Sequence, residues 1–349
     1  MQLNNPFDVT FGREPNSIIS RADELEIVYK SFSNNESSQV YILTGVRGCG
    51  KTVAMTTIKE HYMNEKNWIC IELNPENDML EQLSSKLYDE GNLRKIFLKT
   101  DFNFSFNGFG FSIKGDNPIA NISSLLNIEF SYLKKKNINV LISVDEAVSN
   151  NYMKVFVHEY QSLIREKFNV YLIMTGLYQN IQMLEKNKSL TFLYRAPKIY
   201  LSNLNLIAIS SSYKKIFSID DKTSIKLAKF TKGYAYAYQL LGNLLFESKK
   251  TNIDDEIIAN FNDLIFERAY NIIYTELTNK EKEILKSAVN SPINIDIIND
   301  LQISKNQLSA YKKNLSFKGI IEANRDQIVF KLPNFKDFLE YISIFESID

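Results

Sequence analysis

The chain has 349 residues, which is enough for two or three domains with cores of their own. Its 41 basic and 41 acidic residues give a formal net charge of zero, so any binding of nucleic acid must come from a local basic surface. Its two cysteines and two histidines are too few for a disulfide framework or for a zinc cluster built on them.

The sequence predicts a cytoplasmic location and no membrane partner. No stretch approaches the 18 consecutive apolar residues of a transmembrane helix. The first residues, MQLNNPFD, lack the basic and apolar regions of a signal peptide. The scarcity of cysteine suits a reducing compartment.

The run GVRGCGKT at residues 45–52 fits the phosphate-binding pattern G-x-x-x-x-G-K-[ST] at every fixed position. The apolar run Val40–Thr44 predicts a buried strand before it, and the residues from 53 onward predict a helix. Glycines permit a tight loop whose backbone N–H groups face an anion, and the helix N-terminus adds partial positive charge. Lys51 can reach the β- and γ-phosphates, and the Thr52 hydroxyl can ligate Mg²⁺. The predicted nucleotide-binding residues of this segment are Gly45, Val46, Arg47, Gly48, Cys49, Gly50, Lys51, Thr52 and Val53.

A different pattern, at residues 101–114, predicts a β-hairpin inserted in this region. Phenylalanines alternate along both halves, and the pair Asn107-Gly108, a preferred two-residue hairpin turn, separates them. The aromatic face can pack on its own domain. It can instead protrude and bind a partner protein or a neighbouring subunit of a homo-oligomer.

The second half of a nucleotide site is predicted at the end of the apolar run Val140–Val144. An apolar run without a polar period indicates a central parallel strand, and ligands bind at the ends of such strands. Asp145 would hold Mg²⁺ and Glu146 would orient the attacking water in phosphoryl transfer. Two acids after a strand could also begin a helix as capping residues. ATP is favoured over GTP because neither Asn-Lys pair of the chain continues into the base-reading motif N-K-x-D.

Further strands are predicted on both sides of this run, with helical patterns between most of them. Alternating strands and helices indicate an α/β fold with a parallel sheet, here of the P-loop NTPase type. The predicted strands are Val40–Thr44, Trp68–Leu73, Val140–Asp145, Val170–Thr175 and Lys198–Leu201.

From Asn203 to about Tyr274 only helical periodicity occurs, including one long helix over Asp254–Ile273, and this predicts an all-α bundle. The last part of the chain predicts three short helices and a strand–turn–strand, the order of a winged helix-turn-helix. The third of these helices, Ser304–Lys318, follows a helix at Asn294–Leu301 and ends at a glycine.

The third helix carries an apolar stripe of Leu308, Tyr311 and Leu315, which predicts a core-facing side, and a polar stripe beside it. From 305 to 331 there are six bases and two acids, a local charge of +4 in a neutral chain. Such a surface suits double-stranded DNA, although a winged helix can also serve for packing or protein contact. The predicted DNA-binding residues are Lys305, Asn306, Ser309, Lys312, Lys313 and Arg325.

The phosphate loop, the two acids, the helical lid and the winged helix, in this order, resemble the AAA+ ATPases. More narrowly, they resemble the origin-recognition initiators and the signal-transducing STAND NTPases. Residues 18–25, IISRADEL, are similar to the family's adenine-side V-G-R-x-x-E-L element with Ser20 in place of glycine, so Ile19 and Arg21 would line the base pocket. The resemblance implies that Thr175 is the sensor-1 residue near the γ-phosphate. It also implies that Arg195 is an arginine finger given to a neighbour's site, unless it forms an ordinary salt bridge.

Residues 232–237, KGYAYA, resemble the start of the lid's sensor-2 helix, but Tyr236 stands where the family has arginine. The resemblance implies an ATP hydrolase that uses Mg²⁺ and is slow and dependent on assembly, with Lys51, Thr175, Arg195 and Glu146 as its catalytic residues. The predicted domains are a P-loop core at 1–202, an all-α lid at 203–274 and a winged helix at 275–349.

Two functions follow from this organisation. In the first, ATP closes the lid on the core and sets the affinity of the winged helix for DNA. In the second, the chain is a STAND-like regulator whose winged helix packs on bound nucleotide and which acts through a protein partner, as occurs in mobile-element and phage-defence systems.

Overall fold

The computed structural model describes residues 4–10, 15–34, 38–90, 100–106, 109–113, 117–118, 121–187, 190–322 and 324–346. Contacts divide the chain into two compact units. The sheet unit contains Ala22–Thr44 and Lys51–Tyr200, and the helical unit contains Met1–Arg21, Gly45–Gly50 and Leu201–Asp349. The phosphate loop up to Gly50 therefore groups with the C-terminal half of the chain, and the three-domain division stays a prediction.

The sheet unit is built on five parallel strands among the residues described, and all five were predicted. They occur in the spatial order β2-β6-β7-β1-β8, and β1, β6 and β7 are continuous apolar runs because neighbouring strands and helices cover them on both sides. The strands of the unit are β1 (Val40–Thr44), β2 (Trp68–Leu73), β3 (Thr100–Phe106), β4 (Phe109–Ile113), β5 (Asn117–Pro118), β6 (Asn139–Val144), β7 (Val170–Gly176) and β8 (Lys198–Tyr200).

The predicted hairpin is present as β3 and β4, which pair antiparallel from Phe102 opposite Ile113 to Phe106 opposite Phe109. The short β5 pairs with β3 in the parallel direction. The turn residues Asn107 and Gly108 and the last residue of the predicted segment, Lys114, lie outside the described residues. The role of the hairpin in binding a partner stays a prediction.

Helices flank the five-stranded sheet, and several of them begin where a side chain satisfies the first backbone N–H groups. Asp78, Asn121 and Asn150 each accept hydrogen bonds from N–H groups in the first turn of the helix that follows. The helices of this unit are α1 (Ala22–Asn34), α2 (Lys51–Met63), α3 (Met79–Asp89), α4 (Ile122–Lys135), α5 (Asn151–Arg165), α6 (Tyr178–Lys186) and α7 (Thr191–Tyr194).

The helical unit begins with the predicted all-α bundle. Its helices are α8 (Leu206–Phe217), α9 (Asp221–Phe230), α10 (Ala235–Ser248), α11 (Asp255–Ile265) and α12 (Asn271–Thr275). The prediction of a single helix over Asp254–Ile273 was wrong in part. A π-helical segment, Phe266–Tyr270, separates α11 from α12. Such a wide turn shifts the helical register, and here Ala269 and Tyr270 are both buried.

The C-terminal part contains α13 (Asn279–Asn290), α14 (Asn294–Leu301), α15 (Lys305–Phe317) and α16 (Phe335–Glu346). Capping boxes begin α13 and α15, with Thr278 and Ser304 as the capping residues. Two isolated antiparallel bridges, Ile321 to Phe330 and Ile293 to Gln327, stand where a strand–turn–strand was predicted. The order of these elements is the one predicted for a winged helix, and that name remains an interpretation of this segment.

The N-terminal segment belongs to the helical unit rather than to the sheet unit. The ring of Phe7 stacks on Phe217 at 5.8 Å and meets Tyr238 edge-on at 5.6 Å. A Cβ at Gly242 would collide with the Phe7 ring, so this residue must lack a side chain. Within the described part of the chain, no helix is both long and apolar enough to cross a bilayer.

Candidate nucleotide-binding site

Asp145 lies at the end of β6 in the sheet unit and accepts hydrogen bonds from two hydroxyls. Thr52, in the first turn of α2, donates to Asp145 Oδ2 at 2.8 Å. Thr175, near the end of β7, donates to Asp145 Oδ1. The adjacent parallel strands β6 and β7 bring Asp145 and Thr175 to the same edge of the sheet, which is where open α/β folds bind ligands.

Glu146 follows in a left-handed backbone conformation, with φ of 52°. Its N–H donates to Asp145 Oδ1 and to Thr175 Oγ1, both at 3.1 Å. Its side chain is exposed whereas Thr175 is fully buried. A non-glycine residue in the left-handed region is uncommon and is held by its surroundings, so the backbone of Glu146 has a defined direction.

The oxygens of Thr52 and Asp145 fit a magnesium ion. A hydroxyl and a carboxylate 2.8 Å apart are hard oxygen ligands, and Mg²⁺ in nucleotide sites is held by one or two such groups together with phosphates. Among the described residues there is no cluster of three or more His, Cys, Asp or Glu side chains that could hold a metal by themselves. A metal at this place would therefore depend on the nucleotide for further ligands.

The phosphate loop lies in the helical unit up to Gly50. Gly48 has φ of 75° and Gly50 has φ of 92°, conformations that residues with a side chain rarely adopt. A Cβ at Gly48 would also collide with the hydroxyl of Tyr234. Glycine at this position is thus required both by the backbone and by a neighbour from the start of α10.

Three consecutive carbonyls of the loop accept hydrogen bonds within the helical unit. Arg47 O accepts from the Tyr234 hydroxyl at 2.6 Å, and Gly48 O accepts from the Tyr236 backbone N–H at 3.0 Å. Cys49 O accepts from Arg21 Nη2 at 2.8 Å. The segment that resembles a sensor-2 helix start therefore contacts the loop itself, through a tyrosine hydroxyl and a backbone amide.

The structure places the other predicted nucleotide residues as follows. Arg21 is half-buried with its guanidinium on the loop carbonyl of Cys49, and Ile19 is buried beside it in the chain. Cys49 is a buried free thiol. Lys51 and Val53 are half-buried in the first turn of α2. The roles of these residues toward a base or a phosphate stay predictions.

Arg195 follows α7 and is exposed. Its backbone N–H donates to Phe192 O at 3.1 Å, but no acidic side chain of the described residues forms an ion pair with its guanidinium. The salt-bridge alternative therefore finds no support in this part of the chain, and the finger role stays a prediction.

Helix α15 presents the two predicted stripes. Leu308 and Leu315 are buried and Tyr311 is half-buried, as expected for the side that faces the core. The exposed residues of the predicted DNA-binding set are Lys305, Asn306, Ser309 and Lys313 on α15, and Arg325 in the segment that follows.

Lys312, the remaining predicted DNA contact, is half-buried and already has acceptors within the unit. Its ammonium donates to Asn294 Oδ1 at 2.8 Å, to Asn324 O at 2.9 Å and to Gln327 O at 3.2 Å. Burial lowers the pKa of Lys312 from its ordinary value, while Asp326 acts in the opposite direction. The side chain thus connects α15 to α14 and to the bridge segment, which comprises residues 321–322 and 324–330 with the paired Ile321 and Phe330 at its ends.

Lys318, counted in the local basic charge, is also used internally. It forms an ion pair with the buried Glu281 at 2.7 Å. The basic surface is therefore smaller than the sequence count of six suggested.

Comparison with known proteins shows a likeness of fold. No model of a protein family and no curated protein matches the sequence. The ORC2 protein of Aeropyrum pernix, in its ADPNP–ADP complexes, matches with a TM-score of 0.58 at 13% identity over 98% of both chains. The ADP form of the same protein matches with a TM-score of 0.51 at 12% identity over 97% of both chains. Cdc6p from Pyrobaculum aerophilum covers 97% of both chains at 16% identity with a TM-score of 0.49.

The chain thus shares its fold with the ORC2 protein of Aeropyrum pernix. This confirms the predicted fold class, a parallel P-loop sheet followed by a helical part, and the predicted resemblance. The contact of the Tyr234 hydroxyl with the loop was not predicted. The segment resembles a sensor-2 helix start, but no local signal in the sequence distinguishes Tyr234 from Tyr236 and Tyr238.

Proposed function

We propose that the chain is an ATP-binding and ATP-hydrolysing switch that uses Mg²⁺. The observation that carries this is the group at the edge of the sheet, where Asp145 accepts from Thr52 and Thr175 and is followed by the exposed Glu146. Phosphoryl transfer needs positioned phosphates and an oriented nucleophile, and these residue types supply both.

Each residue has a distinct part in this proposal. Backbone N–H groups of the loop and the Lys51 ammonium bind the β- and γ-phosphates. Thr52 and Asp145 hold Mg²⁺, which when bound neutralises charge on the phosphate oxygens. Glu146 orients the attacking water, and Thr175 holds Asp145 and the Glu146 amide in place. Arg195 acts in a neighbouring copy, so hydrolysis is slow until the protein assembles.

The phosphate loop contacts the C-terminal part of the helical unit. These contacts support a switch in which the bound nucleotide alters the winged helix. Gly319, two residues after the end of α15, has φ of 76°, and a Cβ built on it would lie 2.9 Å from Val46 Cβ. Lys232, two residues before Tyr234, donates to Phe330 O at 3.1 Å and to Leu332 O at 3.4 Å. A change in the loop can therefore reach the end of α15 and the bridge segment through packed contacts.

Double-stranded DNA is the proposed ligand of the exposed polar side of α15. Lys305, Lys313 and Arg325 are exposed bases on one small module of a chain without net charge, as phosphate contact requires.

The test is anisotropy of a labelled random duplex at low salt, in ATP and in ADP, with the wild type and a Lys305→Glu, Lys313→Glu double variant. We expect the wild type to bind the duplex in a salt-sensitive way, with an affinity that differs between ATP and ADP. The double variant should lose this binding whatever the sequence of the duplex. The Lys222→Glu, Lys229→Glu double variant, at two exposed lysines of α9, is the charge-matched control and should bind as the wild type does. Absence of binding in both nucleotides contradicts the DNA proposal.

A second candidate is the STAND-like regulator, and the approach of Gly319 to Val46 favours it. If the end of α15 covers the loop while nucleotide is bound, the protein should retain ADP through purification until a protein partner opens it. Acid release of nucleotide from the purified protein, followed by chromatography, measures this. A nucleotide-free preparation that binds DNA tightly would count against this candidate.

A further inference from the structure

The three loop carbonyls that accept hydrogen bonds constrain the loop's amides as well. A trans peptide unit is planar, with its C=O and N–H pointing in opposite directions. No cis peptide bond occurs among the described residues. Fixing the carbonyls of Arg47, Gly48 and Cys49, each by its own hydrogen bond, therefore also fixes the directions of the N–H groups of Gly48, Cys49 and Gly50. The Cys49 N–H closes a turn onto Val46 O at 3.2 Å.

The tyrosine that holds the first carbonyl is itself fixed. Tyr234 is buried, and its ring stacks on Tyr270 with centroids 6.5 Å apart and an interplanar angle of 26°. The backbone before it is held on both sides, because Leu204 N–H donates to Gly233 O at 2.7 Å and Asn203 Nδ2 donates to Lys232 O at 2.7 Å. The hydroxyl therefore reaches Arg47 O from a rigid support.

The hydroxyl also keeps its proton. Burial raises the pKa of Tyr234 well above its ordinary value of 10.0. The phenol stays neutral over the whole physiological range and acts as a donor to the loop carbonyl.

We propose that Tyr234 is a positioning residue for the phosphate loop, and that Arg21 and the Tyr236 amide complete a clamp on the loop carbonyls. This rests on the proposed nucleotide function and adds to it. The clamp sets the direction of the loop amides before the nucleotide arrives, so binding does not have to order them. Tyr236, at the position where the family has its sensor-2 arginine, contacts the loop through its backbone N–H.

The test compares Tyr234→Phe with a matched control. Phenylalanine keeps the ring on Tyr270 and removes only the hydroxyl. Tyr213→Phe is the control, because Tyr213 is equally buried in the helical unit and its hydroxyl likewise donates to a backbone carbonyl, Tyr238 O at 2.7 Å, away from the loop. For each variant, the affinity for fluorescent ADP and ATP is titrated well below the unfolding temperature, and thermal unfolding is recorded without nucleotide.

We expect Tyr234→Phe to raise the Kd for both nucleotides roughly 3- to 10-fold, the effect of one lost hydrogen bond. Both variants should lower the unfolding temperature by similar amounts, because each loses one buried hydrogen bond. Tyr213→Phe should leave both Kd values unchanged. Equal Kd values for the two variants overturn the positioning role while leaving the nucleotide function intact. A wild type that binds neither nucleotide, with Lys51→Ala indistinguishable from it, overturns the nucleotide function instead.

A second variant keeps the test valid if Tyr234→Phe does not fold. Arg21→Met removes the donor to Cys49 O from a half-buried position, so the variant should fold. It should raise the Kd for both nucleotides by the same factor as is expected for Tyr234→Phe. Unchanged affinity in Arg21→Met overturns the clamp.

Discussion

The hydroxyl of Thr52 donates a hydrogen bond to Asp145 Oδ2 at 2.8 Å, although the two residues are 93 positions apart in the chain. Thr52 is the last residue of the phosphate-loop motif, and Asp145 directly follows the strand β6. Their meeting joins the two sequence motifs that together predicted a nucleotide site.

Replacing Glu146 with glutamine should separate nucleotide binding from hydrolysis. The side chain is exposed beside the Asp145 group, and an amide cannot orient and polarise water as a carboxylate does. We expect ATP affinity within about twofold of the wild type and a loss of phosphate release of about 10²- to 10⁴-fold. Glu76→Gln, another exposed glutamate of the sheet unit, is the control. Undiminished hydrolysis in Glu146→Gln would show that another group orients the water.

Lys318→Met should destabilise the helical unit strongly. The ion pair of Lys318 with Glu281 is 13% and 3% exposed at its two side chains, so removing the lysine leaves a buried carboxylate without its counter-charge. We expect a loss of about 3–5 kcal/mol in the free energy of unfolding, measured with urea. Lys280→Met breaks the neighbouring pair with Glu283, which is 33% and 50% exposed, and should cost less than about 1 kcal/mol. Similar losses for both variants would be inconsistent with a special role of burial.

Lys312 and Lys313 are neighbours on α15 that should respond differently to replacement by methionine. Lys312→Met leaves Asn294 Oδ1 and two backbone carbonyls without their donor and should lower stability by about 1–3 kcal/mol. Lys313 is exposed and lies over the ring of Phe317, so Lys313→Met should change stability by less than about 0.5 kcal/mol. Urea unfolding of the two variants distinguishes these outcomes, and equal stabilities would mean that the Lys312 contacts contribute little.

Glu129 should make the protein less stable as the pH rises. Burial raises the pKa of this carboxyl well above its ordinary value of 4.5, although the hydrogen bond from Ser84 acts in the opposite direction. Below pH 4.5 the group is protonated in both the folded and the unfolded chain. Above it the unfolded chain releases the proton first, so stability is lost as the pH rises toward the folded-state pKa.

The variant Glu129→Gln should remove this dependence, because an amide stays neutral and can still accept from Ser84. We expect the stability of the variant relative to the wild type to increase between pH 4.5 and pH 8, measured by urea unfolding at several pH values. A difference that stays constant over this range would mean that Glu129 titrates normally.

Much of the sheet could be predicted because its signals are local. The strands β1 and β2 have the predicted bounds, β7 and β8 differ by one residue at one end, and β6 differs by one residue at each end. Buried parallel strands are continuous apolar runs, so their position is visible in the sequence itself. The long helix at 254–273 was partly wrong, because a π-helical turn keeps the helical periodicity on both sides of it and depends on how Tyr270 packs.

The candidate site could be predicted as motifs but not as a network. The pattern at 45–52 and the pair Asp145-Glu146 are short-range features, and they name the chemistry of a nucleotide site without further information. The contact of Tyr234 with Arg47 joins residues 187 positions apart, and the sequence of either segment carries no trace of it. The use of Lys312 within its own unit was likewise hidden, because a lysine on a polar stripe has the same pattern whether its ammonium faces solvent or a carbonyl.

The fold class and the order of elements could be predicted from the amino-acid sequence alone, and the sequence also predicts the motifs of a nucleotide site. These follow from periodicity and from fixed spacings within a few turns of chain. The donors that hold the loop carbonyls, the lysines that remain exposed and the carboxyl that is buried became visible only in the folded structure. Those outcomes depend on distances between segments far apart in the chain, and such distances are set by the packing of the whole unit rather than by any local pattern.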